Sequence, residues 1–180
     1  MAKLNQRTLK LHLKQLSHEE LLDEIAMLYD KFEPVKEFYL TKLTDGGAQA
    51  VLEDHKDAIR REFFPSRGLP PARLSVARKG VSDFKKISDS PADLAELMLF
   101  YVETGVQFTR EYGDIDSAFY NSMEGMFDRA VKHIVRHGLQ EQFESRCRSV
   151  VNDAGGTGWG FHDTLSEIYS EHFGAEYGLI

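Results

Sequence analysis

Residues 91–112 set the strongest condition on the fold. Leu94, Leu97, Met98, Tyr101, Gly105, Phe108 and Tyr112 recur at helical spacing on one face, and Leu99, Val102 and Val106 add a second. A helix that is apolar on nearly all sides has to be covered by other elements. This segment therefore belongs at the centre of the molecule. Ser90-Pro91-Ala92-Asp93 marks its start with a capping hydroxyl, a proline whose missing N–H is not needed in the first turn, and an acid near the positive end of the helix dipole. Burial of five of its large apolar side chains contributes on the order of 10 kcal/mol before conformational entropy is counted.

The rest of the 180 residues also reads as helix, with no convincing strand. Asn5 is placed to cap a short helix carrying Leu9, Leu13 and Leu16. Ser17-His18-Glu19-Glu20 is a capping box, followed by an apolar stripe of Leu21, Ile25, Leu28, Tyr29 and Phe32. Pro34 stops that helix and opens the next, which carries Val35, Phe38, Tyr39 and Leu43. After Asp45-Gly46-Gly47 comes a helix over about 48–64, with Val51, Leu52, Ile59 and Phe63 inward.

Pro65 to Pro71 holds three prolines and a glycine and cannot continue a helix. This loop is the candidate sub-domain boundary in an otherwise single domain spanning 1–180. Leu74, Val81, Phe84 and Ile87 mark a helix whose other face is basic. Asp114 is the expected cap of a long helix with Phe119, Met123, Met126, Phe127, Ala130, Ile134 and Val135, ending at Gly138. Leu139, Phe143, Cys147, Val150 and Val151 build the following helix. A glycine-rich turn around Trp159, expected to fill a pocket, precedes the last one, with Phe161, Leu165, Ile168 and Tyr169. The prediction is an all-α protein of about nine helices in consecutive antiparallel hairpins, forming a bundle or a short irregular array.

Ser17-His18-Glu19-Glu20, Tyr29-Asp30-Lys31-Phe32, Pro34-Val35-Lys36-Glu37-Phe38-Tyr39, Phe119-Tyr120-Asn121-Ser122-Met123-Glu124 and Gly158-Trp159-Gly160-Phe161-His162-Asp163 with Tyr169 carry a further signal. Together they resemble an uncharacterised bacterial family of all-helical proteins with a domain of unknown function. The resemblance covers most of the chain and implies a helical fold. It brings no activity, cofactor or catalytic residue with it.

Charge is distributed unevenly. The chain carries a formal −7, yet residues 56–86 hold nine Lys/Arg against three Asp/Glu, and residues 87–128 hold one Arg against nine acids. Two readings follow: the segments pair with each other across helix contacts, or the basic one forms a face for a polyanion. Arg60, Arg61, Arg78, Lys79, Lys85 and Lys86 are the candidate binding residues on that face. Nucleic-acid binding through it would be phosphate-dominated and strongly salt-dependent.

Catalytic patterns are missing or incomplete. His133 and His137 have the i,i+4 spacing of two metal ligands, and His55 and His172 could join them. No Glu follows His133, however, and no Glu-x-x-His occurs. The glycines of residues 155–160 are followed by no Lys-Ser/Thr and preceded by no strand, and Gly-x-Ser-x-Gly is absent. Cys147 is the only cysteine and sits on an apolar stripe, as an inert thiol does.

The longest apolar run, Leu97 to Val102, is too short to span a bilayer, and the start lacks an uninterrupted apolar signal region. The expectation is a cytoplasmic, non-catalytic interaction or adaptor module. Its partner is protein, no cofactor is called for, and there is no membrane partner. Nucleic-acid binding through 56–86 and a histidine metal bundle are the alternatives. Tyr177 and other terminal aromatics could serve a homo-oligomer.

Overall fold

The computed structural model describes residues 4–174; Tyr177 lies outside them. Among the described residues there are nine helices and no strand. They are α1 (Gln6–Leu13), α2 (His18–Lys31), α3 (Glu33–Leu43), α4 (Gly47–Phe63), α5 (Leu74–Ile87), α6 (Pro91–Tyr112), α7 (Ser117–Arg136), α8 (Gln140–Asp153) and α9 (Phe161–Phe173).

The starts follow from side-chain caps. Asn5 accepts from Thr8 N at 2.9 Å, Ser17 and Glu20 form the capping box, and Ser90 accepts from Asp93 N at 3.2 Å. One expected cap is corrected. Asp116, not Asp114, accepts from Phe119 N at 2.8 Å and starts α7. Asp114 instead accepts from the Tyr120 hydroxyl and from Gly158 N, each at 3.0 Å, and so ties the α6–α7 connection to the glycine-rich turn.

Twelve of the 22 residues of α6 are buried, and α4, α5, α7 and α8 all pack on it. Its closest partner is α7, because Gly105 has no side chain and Met123 of α7 fills the space a Cβ would need. Tyr101 of α6 and Ser122 of α7 share a buried hydrogen bond of 2.7 Å. Tyr112 departs from the expected buried face and is half exposed at the helix end. The core runs unbroken across the proline loop. That loop is closed by Ala72 N donating to Glu62 O at 2.7 Å, and by Arg73, whose guanidinium donates to both oxygens of the buried Glu62 carboxylate.

Ion pairs join three helices on another side. Arg146 of α8 donates to both carboxylate oxygens of Glu103 and to Glu96 on α6, and Glu96 also takes Lys56 of α4 at 2.7 Å. Beside Arg146, burial pushes the Cys147 thiol up to about 12, so it stays protonated and unreactive at neutral pH.

Helices α1 to α3 behave differently. None of their residues is buried. The apolar stripes of α1 and α2 stay largely at the surface, with Ile25, Tyr29 and Phe32 each more than 40% exposed. α3 packs on α4 and α5, α2 packs on α3, and α1 packs extensively on no other helix.

Glycine to alanine inside a helix normally gains about 0.5–1 kcal/mol. Gly105→Ala should instead lose about 1–3 kcal/mol, since the added methyl overlaps the buried Met123 sulfur. A guanidinium chloride midpoint below that of the unaltered protein is the expected reading.

Candidate functional site

An open cleft of about 380 Å³ lies where α5 and α7 flank α6. Arg78, Ser82 and Lys85 project from α5, four and three residues apart. Arg129, Lys132, His133 and Arg136 project from α7 at the i, i+3, i+4, i+7 positions of one face. Val81, Leu94, Met98 and Met126 form its floor. Each row is exposed because the opposite side of its helix is committed to the core: Ala77 and Phe84 on α5, Phe127, Ala130 and Ile134 on α7.

No Asp or Glu lines this cleft. Lys132 pairs with Asp128 at 2.8 Å. Arg78, Lys85, Arg129 and Arg136 have no carboxylate within ion-pairing reach among the described residues. The groups feel one another. Burial pushes the Tyr101 phenol up, while its hydrogen bond to Ser122 and the positive charges of Arg78 and Arg129 act against that shift. Burial also pushes the His133 imidazole below its ordinary range. Its hydrogen bond to the Pro91 carbonyl opposes this, and the neighbouring His137, Lys85 and Arg136 reinforce it. His133 is therefore neutral at pH 7, with Nε2 donating to Pro91 O at 2.9 Å. Convergent cations over an apolar floor can accept an anionic group that carries an apolar neighbour.

The six basic residues singled out from the sequence separate into three groups. Arg78 and Lys85 line the cleft. Lys79 and Lys86 both pair with Asp83 along α5. Arg60 pairs with Asp57 and lies over the Phe100 ring, while Arg61 donates to the Asp57 carbonyl. The expected pairing of 56–86 with 87–128 reduces to Lys56–Glu96. Four of its nine basic residues, Arg60, Arg73, Lys79 and Lys86, are answered within the segment, by carboxylates three, four or eleven residues away, and Lys56 also pairs with Glu53. Arg129, Lys132 and Arg136 were not singled out. Their helical spacing is a visible signal, but it begins just past the acidic stretch and surrounds a histidine considered for metal binding.

The histidines do not gather. His133 and His137 stack with ring centroids 4.3 Å apart, and His133 Nε2 is already engaged. His55 faces Glu37 at 3.5 Å between α4 and α3, and His172 lies on α9. Among the described residues no three His, Cys, Asp or Glu side chains form a metal-holding group. Trp159 also departs from expectation: it is 64% exposed, at a left-handed φ of 63°, and fills no pocket. Asp163 sits in the first turn of α9 beside His162, at 3.4 Å, with both groups exposed.

Among the described residues the fold and cleft define an all-helical protein with a basic cleft lined by no carboxylate. The chain belongs to a family of unknown function, DUF6155, whose model matches residues 4–173. No curated protein and no solved structure matches it. No helix among the described residues is long and apolar enough to cross a membrane.

His133 supplies a test of this electrostatic picture. Its folded-state pKa lies below the ordinary 6.5, so as pH falls the unfolded chain takes up the proton first. Its contribution is absent above pH 6.5. Stability is lost from about there down to the folded-state pKa, and the penalty is constant below it. NMR titration should find the His133 midpoint under 6.5, and His133→Gln should remove that part of the acid destabilisation seen in urea melts.

Proposed function

We propose that this protein is a non-catalytic, cytoplasmic interaction module that captures an acidic segment of a partner protein in the cleft between α5, α6 and α7. The observation that carries the reading is the convergence of Arg78, Lys85, Arg129 and Arg136 with no carboxylate among the lining residues. Four cations left without partners repel one another until an anion neutralises them, and this differential charge term favours the bound state. The floor supports a peptide over a bare anion. Met98 and Met126 are adaptable side chains suited to an apolar residue of variable shape.

A nucleic acid would use the same cations, but a phosphate backbone also needs a continuing basic track. Outside the cleft, Lys56, Arg60 and Arg73 pair with nearby carboxylates and Lys79 and Lys86 share Asp83, which interrupts such a track. The compact site therefore favours a short acidic segment over a polymer backbone.

Fluorescence anisotropy with three probes tests the reading: a labelled Glu/Asp-rich peptide with a central Leu-Phe pair, a single-stranded RNA and a duplex DNA. The peptide should bind best. The triple variant Arg78→Glu, Arg129→Glu, Arg136→Glu should bind it at least about tenfold more weakly with an unchanged helical spectrum, since all three side chains are exposed. Tighter binding of either nucleic acid, with affinity falling steeply in salt, would replace this function with the polyanion one. No peptide binding at low salt, or equal binding by the triple variant, would end it.

A further inference from the structure

A second surface lies at the other end of the chain and is independent of the cleft. α2 and α3 leave a groove of about 430 Å³ between them, lined by Leu22, Ile25, Tyr29, Tyr39, Leu40 and Leu43. α1 packs extensively on no helix of its own chain. It presents Leu11, 56% exposed, beside Arg7 and Lys14, and Leu4, 73% exposed, stands just before its Asn5 cap. We propose that α1 of one copy docks into the α2/α3 groove of a second copy, reciprocally, so that two chains form a two-fold dimer by exchanging their N-terminal helices.

Charge identifies the occupant. Residues 4–16 carry Arg7, Lys10 and Lys14 and no acid. Along α2, Glu19, Asp23 and Asp30 fall on one flank of the face that carries Leu22, Ala26 and Tyr29, and all three are exposed. A basic amphipathic helix therefore meets an apolar groove whose α2 flank is acidic, Lys36 of α3 beside Asp30 being paired with Glu33. Packing α2 on the α2 of another copy would instead oppose acid to acid. Reciprocal exchange satisfies both copies at once, as a closed two-fold contact requires.

Surface area points the same way. Eleven of the fifteen exposed large apolar side chains among the described residues lie between Leu4 and Leu43. A stable dimer needs about 800 Å² from each partner. The helices without a buried residue are α1, α2 and α3, so this exposed apolar surface lies with them.

The chain's own α1 is held away from the groove. Gln15 N donates to His12 O at 2.9 Å, Leu16 N donates to Leu13 O at 3.3 Å, and the Ser17–Glu20 box follows at once. The backbone between α1 and α2 is thus taken up in local hydrogen bonds that hold this geometry.

Sedimentation equilibrium of the full chain tests the exchange. The unaltered protein should be a dimer that weakens as salt rises. Arg7→Glu with Lys14→Glu makes α1 acidic, and Asp23→Arg with Asp30→Arg makes the groove wall basic. Each variant alone should dissociate at least about tenfold more readily, with an unchanged circular dichroism spectrum because none of the four side chains is buried. An equimolar mixture of the two variants should re-form a dimer, since each acidic α1 then meets a basic groove and each basic α1 an acidic one. A monomeric unaltered protein at 100 µM overturns the proposal, whether its groove is empty, filled by its own α1 or reserved for another protein. So does a dimer that survives both variants, or a mixture that stays monomeric.

Discussion

The structure depends on burying α6 from every side. Its Leu94, Leu97, Leu99, Tyr101, Val102 and Val106 cannot all be covered by one neighbour, so α4, α5, α7 and α8 must surround it. Once they do, Gly105 brings α7 close and sets which of its residues meet α6. The cationic row of α7 is then placed opposite that of α5. Several core side chains contribute on the order of 10 kcal/mol, whereas two like charges several ångströms apart near the surface repel by about 1 kcal/mol or less when well solvated. The core wins, and the cleft keeps its charge.

Polar groups elsewhere are treated in the opposite way. Burial works against the Glu96 carboxylate, but the hydrogen bonds from Lys56 and Arg146 outweigh it and hold its pKa below the ordinary range. Glu62 is held down chiefly by Arg73, despite its burial. Where a charge is needed for packing, its partner is within reach. The cleft contrasts with these pairs, since Arg78, Lys85, Arg129 and Arg136 converge there with no carboxylate among the lining residues.

Much of the architecture was legible because it is local. Asn5, Ser17 and Ser90 cap the helices their positions implied, and Phe63, Val81, Phe127 and Leu165 turn inward as their periodicity required. Asp114 was misread because two acids stand within reach of the α7 start, and cap geometry chose Asp116 while the distant Gly158 claimed Asp114. The stripes of α1 and α2 were correctly recognised as amphipathic. Periodicity reports that a face is apolar and does not say that the same chain supplies its cover.

The division follows the range of the forces. Capping hydrogen bonds, the 3.6-residue repeat and proline stops act within a few residues, so the nine helices and the central place of α6 were determined by the sequence alone. Pairing within residues 56–86 is similarly short-ranged, since most partners there stand three or four positions apart. The cleft joins residues some fifty positions apart, such as Arg78 and Arg129, and only the packing of α5 and α7 on a shared core brings their charges together. Tertiary structure also decided which basic residues remained without a partner, because that depends on every carboxylate the folded chain brings near.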